Sequence, residues 1–240
     1  MTELLNNVTQ GDCLEIIREI PSESVDLVLT DPPYGVAFNS NWSKDPEYRA
    51  RVKSVDGIKN DGKDNTPFLA EVIDELARVM KHNTHIYWFT RWDQVALQLP
   101  LLQRHFNVKN ALIWDKGNWS MGDLTGAYAG EYEVILFGQK GRRVLNEVDG
   151  KKRHPDILQY KRVPPSRLRH SHEKPEDLIE FLMRKSSVEG EVVLDPFCGS
   201  GTTAAVAKRI GRQFITTELD SDFIKIANER IQEAESCTQY

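Results

Sequence analysis

Residues 192–203 read VVLDPFCGSGTT: an aliphatic run, an aspartate, then a glycine turn that opens directly into threonines. The run Glu191–Leu194 predicts a short buried strand, and a helix is expected over Thr203–Ile210. A Gly-x-Gly turn between a strand and a helix lets a ligand approach the backbone closely, at the carboxyl edge of a sheet. A dinucleotide pyrophosphate would favour a third glycine, where this chain has Ala204, and Asp195 would repel it. A carboxylate there suits a cation, such as an amino group beside a sulfonium. The next strand, Gln213–Thr217, leads to Glu218, placed to accept hydrogen bonds from two ribose hydroxyls. Together these residues describe a site for an adenosine that carries an amino acid.

Working outward, strands and helices alternate along the chain. Helices are expected at Cys13–Ile20, from Thr66 through PFLAEVIDELARVM, at Asp93–His105 with a bend at Pro100, after Pro175, and at Ser221–Ala234. Strands are expected at Val25–Thr30, His85–Phe89, Ala111–Trp114 and Val134–Phe137. That alternation implies a doubly wound α/β sheet with helices on both faces. Residues 36–65 lack periodicity and read as a long loop.

A second stretch, TDPPYGVAF at residues 30–38, ends the strand Val25–Thr30. Two prolines fix the backbone and remove its donors, so Asp-Pro-Pro-Tyr is a stiff tetrapeptide rich in acceptors.

The 240 residues suffice for one large α/β domain, and no apolar stretch nears the ~20 residues of a membrane span. MTELLNNVTQGD carries no signal-peptide pattern. Cys13, Cys198 and Cys237 lack metal-ligand spacing, so no metal site is expected, and a reducing cytoplasm fits them. Net charge is −5, yet residues 139–170 hold ten Lys or Arg against three Asp or Glu. This island of +7 on an otherwise acidic chain reads as a footprint for phosphates, through Arg142, Arg143, Lys151, Lys152, Arg153, Lys161, Arg162 and Arg167.

FCGSGTT after one strand and DPPY after another resemble the S-adenosylmethionine-dependent amino-methyltransferases of DNA. With DPPY first, the glycine turn last and a basic segment between, the order resembles the family's β group. The resemblance runs from Gly11 to about Ala234. It implies a Rossmann-like class I methyltransferase fold: a doubly wound, mostly parallel sheet with an antiparallel strand. It implies a single domain with a small inserted recognition segment. Residues 1–138 would be the catalytic half, 139–170 the inserted basic DNA target-recognition segment, and 171–240 the cofactor-binding half.

The resemblance further implies S-adenosylmethionine as cofactor. Its site would draw on Asp195, Phe197, Gly199, Ser200, Gly201 and Thr202 in the turn, then Glu218 and Leu219 at the following strand end. Asp12 and Cys13 of Gly11-Asp12-Cys13 would meet the adenine, although Asp12 also reads as a helix N-cap. Asp31 would face the reacting end, and Lys174, in HEKP, would flank the methionine moiety. As a lone residue, Lys174 reads as a surface lysine.

The chemistry explains the tetrapeptide. An aromatic amine is a poor nucleophile because its lone pair is delocalised into the ring. Two acceptors, the Asp31 carboxylate and the Pro32 carbonyl, can hold both N–H bonds and draw the pair out of conjugation. Pro32 and Pro33 keep them rigid, and Tyr34 offers a flat face for an extruded base. Within the family Asp-Pro-Pro-Tyr usually accompanies adenine N6 and Ser-Pro-Pro-Tyr cytosine N4. Site-specific N6-adenine methylation of double-stranded DNA is therefore expected, with N4-cytosine methylation as the alternative. No Pro-Cys nucleophile pattern supports methylation at cytosine C5. A non-catalytic partner subunit, an RNA or protein methyltransferase and a dinucleotide oxidoreductase fit these motifs less well. A homodimer and a companion restriction endonuclease are compatible protein partners, in a bacterial or phage-encoded setting.

Overall fold

A computed structural model describes residues 1–34, 64–119, 125–164, 166–169 and 173–236, so most of the expected 36–65 loop and Cys237 lie outside the described residues. The strands are β1 (Asn7–Gln10), β2 (Val25–Thr30), β3 (Met80–Thr90), β4 (Asn107–Asp115), β5 (Tyr132–Lys140), β6 (Ile157–Gln159), β7 (Val192–Asp195) and β8 (Gln213–Glu218). The helices are α1 (Cys13–Glu19), α2 (Thr66–Val79), α3 (Val95–Gln103), α4 (Glu176–Ser186), α5 (Thr202–Arg209) and α6 (Ser221–Ser236).

The strands form one sheet in the order β1-β8-β7-β2-β3-β5-β4-β6. Strand β5 runs antiparallel to both of its neighbours, β3 and β4, and every other pairing is parallel. The expected mostly parallel sheet with an antiparallel strand is therefore present. The middle strands are covered on both faces, which is why β2 and β7 read as unbroken buried runs. Asp26 in β2 is tolerated because Lys81 Nζ lies 2.7 Å from its carboxylate and the Val192 N–H donates to it at 3.0 Å.

Helix α2 buries Leu69, Val72, Ile73 and Leu76, a helical stripe, against the core beneath β2 and β3. On the opposite face, Leu178, Ile179 and Leu182 of α4 pack with Ala204 and Ala207 of α5 over Leu27, Leu29 and Val193. Pro100 lies within α3, which runs on through it.

The expected inserted segment does not stand apart from the sheet. Its first two residues finish β5, and Ile157–Gln159 form the edge strand β6, in register with Ile113–Asp115 of β4.

Candidate active site

The carboxyl ends of β1, β8, β7 and β2 stand side by side, and each delivers an acidic residue: Asp12, Glu218, Asp195 and Asp31. At roughly 4.8 Å between strands, the row spans roughly 14 Å. A row of carboxylates beside a glycine turn suits an elongated cation bearing hydroxyls and disfavours a polyphosphate. S-adenosylmethionine fits that donor set.

Each acid is fixed by local geometry. Asp12 caps α1, accepting from the Leu14 N–H at 2.8 Å. Glu218 accepts from the Gly199 N–H at 2.9 Å, and from the Leu219 and Asp220 N–H groups at 2.8 and 3.0 Å. It thereby ties the end of β8 to the glycine turn, and burial raises its carboxyl above the usual range. Asp195 is 4% exposed and accepts from Thr30 Oγ1 at 3.0 Å and the Phe197 N–H at 3.2 Å. Burial pushes its carboxyl up to about 6. Gly201 has φ +81°, and a Cβ on it would lie 2.6 Å from that of Ala227, so only glycine lets α5 close against α6.

At the β2 end the Tyr34 hydroxyl donates to Asp31 Oδ1, and Lys174 Nζ donates to Asp31 Oδ2 at 2.5 Å. The Asn65 side chain donates to the Pro33 carbonyl at 2.7 Å, tying the tetrapeptide to the start of α2. Lys174 is buried over the Phe89 ring, and its second carboxylate partner is Glu133 at 3.1 Å. Lys116 Nζ also reaches Glu133, at 2.8 Å. Against the cost of burial, the two ammonium groups hold Glu133 well below the usual carboxylate range, and against the same cost the two carboxylates keep Lys174 charged.

Residues 25–229 match the model of the N6/N4 methyltransferase family, described as DNA methylase. The chain belongs to this DNA methylase family. It is an S-adenosylmethionine-dependent DNA methyltransferase. It is 29% identical over 259 residues to the DNA adenine methyltransferase YhdJ of Escherichia coli (strain K12), covering 95% of this chain and 83% of YhdJ. It is 28% identical over 262 residues to the type II methyltransferase M.HinfI of Haemophilus influenzae, covering 97% of this chain and 70% of that protein. The fold matches the crystal structure of the M1.HpyAVI–SAM complex with a TM-score of 0.68 at 23% identity, over 94% of this chain and 98% of the other.

Several side chains of the methylase point elsewhere than the sequence suggests. Cys13 packs inward among Ile16 and Ile17, its thiol pushed up to about 12 by burial, so only its backbone can face a ligand. Ser200 and Thr202 face Arg230, which donates to Ser200 Oγ at 3.1 Å and Thr202 Oγ1 at 2.9 Å. Their hydroxyls brace the turn from behind. Phe197 is half-buried and meets Phe68 of α2 edge to face, and Leu219 is half-buried beyond Glu218. Lys174 is a core residue, because two carboxylates compensate its burial.

The basic island divides. Strand β5 carries the chain away from Asp31 by roughly 25–30 Å, at about 3.3 Å per residue. At its far end the Arg142 N–H donates to Asn83 Oδ1 at 2.8 Å, Arg143 pairs with Glu191 at 2.7 Å, and the Lys152 carbonyl accepts from Lys185 Nζ at 2.8 Å. Arg142, Arg143, Lys151, Lys152 and Arg153 thus sit at or near the amino edge of the sheet, opposite the acidic row. Strand β6 then returns the chain, so Lys161 and Arg162 are exposed at the carboxyl edge, and Arg167 is exposed further along the same segment. Contiguity in sequence concealed a change of edge.

Sequence reasoning passed over four structural contributors and the rim aromatics. Arg230 was legible: Phe223, Ala227 and Arg230 fall at helical spacing, so a charge stands on the buried stripe of α6. Asn65 and Lys116 carry no pattern, and Glu133 reads as any acid at a strand start. Trp92 (69% exposed), Trp119 (71%), Tyr128 and Tyr132 ring the same edge. Large aromatics in polar loops just after or before strand ends were the available signal.

Proposed function

We propose that this chain methylates N6 of adenine in double-stranded DNA. The observation that carries the reading is Asp31, held by Tyr34 and Lys174 at the end of β2, with Thr30, one residue before it, hydrogen-bonded to Asp195 at the cofactor turn. Methyl acceptor and donor sites thus share one strand-to-strand junction. The Asp-Pro-Pro-Tyr form supports adenine, as does the name of YhdJ.

When bound, S-adenosylmethionine supplies an electrophilic methyl group, whose bond to sulfur breaks with its electron pair as the amine lone pair forms the new N–C bond. Asp31 accepts one amine N–H and the Pro32 carbonyl the other, while Asn65 occupies the Pro33 carbonyl. Asp31 stabilises the positive charge that develops on nitrogen and is placed to receive the proton it sheds. Tyr34 stacks on the extruded base, and its hydroxyl fixes the Asp31 rotamer. Glu218 holds the ribose, and Phe197 with Phe68 closes the site beside the turn.

The DNA lies across the carboxyl edge, with Lys161, Arg162 and Arg167 on phosphates and the exposed Trp92, Trp119 and Tyr132 against bases or sugars. A bacterial cytoplasm, with or without a companion endonuclease, suits a chain related to M.HinfI; among the described residues no helix is long and apolar enough to cross a membrane.

Duplex DNA incubated with methyl-labelled S-adenosylmethionine, digested and separated by mass spectrometry, tests the reading. Label in N6-methyladenine is expected; label in N4-methylcytosine would replace it with the alternative, and no label in DNA would overturn it.

A further inference from the structure

Asp31 cannot do its work as the structure presents it. Its Oδ2 faces a buried ammonium at 2.5 Å, so its charge is already compensated. A carboxylate in that condition does little for positive charge developing on an amine nitrogen. The same ammonium lies 3.1 Å from Glu133, and both contacts are made from a single Nζ position. We propose that Glu133 is a positioning residue that draws Lys174 off Asp31 when the target base enters, freeing Asp31 as an uncompensated acceptor.

Four charged groups form the cluster: Asp31, Glu133, Lys174 and Lys116, two of each sign. Both carboxylates favour the charged form of Lys174, so the ammonium keeps its proton and the switch is a movement, not a titration. Glu133 likewise stays ionised at working pH, since Lys116 pairs with it independently of Lys174. Only a small turn about the Lys174 Cδ–Cε bond is needed to shift Nζ toward Glu133, and the Phe89 ring centroid lies 5.2 Å from Nζ. Removing the Glu133 charge leaves a net positive cluster whose lysine has one carboxylate left, Asp31. That variant should be locked.

The inference rests on the methyl-transfer reading above, and the test separates the two. Single-turnover methylation is measured with saturating duplex DNA and S-adenosylmethionine for wild type, Glu133→Gln, Lys174→Met and the double variant, alongside cofactor and DNA affinities. Glu133→Gln should lose about ten- to a hundredfold in rate with both affinities within about threefold, because the interaction matters in the transition state. Lys174→Met should lose no more than about tenfold, and adding Glu133→Gln to it should cost nothing further. Equal losses in both backgrounds, an unchanged Glu133→Gln rate, or an inactive Lys174→Met that still binds cofactor would each overturn the inference. Should Glu133→Gln not fold, Glu133→Asp keeps the charge one methylene further back and should give an intermediate loss that likewise disappears without Lys174. A wild type that transfers no methyl group to adenine would remove the methyl-transfer reading instead.

Discussion

Asn65 donates its side-chain amide to the Pro33 carbonyl at 2.7 Å, from the N-cap position of α2 and 32 residues along the chain. An N-cap side chain ordinarily accepts from its own helix. Here it is committed to the Asp-Pro-Pro-Tyr backbone, and Asp64 takes the Thr66 N–H at 3.3 Å. Asn65→Ala should cost about 1–2 kcal/mol of stability in urea unfolding, the worth of one buried hydrogen bond, and should lower turnover more than cofactor affinity. Asn65→Asp should be worse, because it turns a charge toward a carbonyl oxygen. Equal activity in all three would separate the bond from catalysis.

Asp195 should make cofactor affinity depend on pH. Burial raises its carboxyl from 3.8 to about 6, so the folded chain takes up a proton in that interval. The associated stability is fully present below 3.8 and is lost as pH rises through about 6. At neutral pH the buried charge therefore costs on the order of 2–3 kcal/mol, offset when a cation binds. Asp195→Asn should melt higher than wild type at pH 7.5, with the gap shrinking at pH 5, yet bind S-adenosylmethionine more weakly. Wild-type affinity should fall as pH drops below about 6. Calorimetry at three pH values checks both.

Gly201→Ala should destabilise the chain by about 2–4 kcal/mol, since a left-handed φ and the Ala227 methyl both oppose a side chain. Urea unfolding measures this directly. A cost under about 0.5 kcal/mol would mean that α6 yields easily.

Reversing Lys161, Arg162 and Arg167 together should weaken DNA binding and lower its salt slope by about 0.9 for each phosphate no longer neutralised. Reversing Arg142, Lys151 and Arg153 should leave both nearly constant, because those residues sit at the opposite edge. The contrary pattern in a salt titration would move the DNA to the amino edge.

The fold was legible because its two signature turns follow buried strands whose composition admits little else. Asp31, Asp195 and Glu218 could be read from the chain because each ends a strand of the same parallel sheet. What escaped was relational. Lys174 looks like a surface residue until Asp31, 143 residues away, and Glu133 are folded around it. Residues 139–170 look like one patch because sequence carries no record of which sheet edge a strand delivers the chain to. Ser200 and Thr202 sit in the glycine turn, yet they turn their hydroxyls toward Arg230, a partner from a helix further on.

In the proposed mechanism Asp31 acts in the transition state and not in binding. Single-turnover transfer by Asp31→Ala, at saturating duplex DNA and S-adenosylmethionine, tests it most directly. N6-methyladenine formation should fall by at least about a thousandfold, with DNA and cofactor affinities retained within about tenfold. An Asp31→Ala chain that forms N6-methyladenine at near the wild-type rate would contradict it.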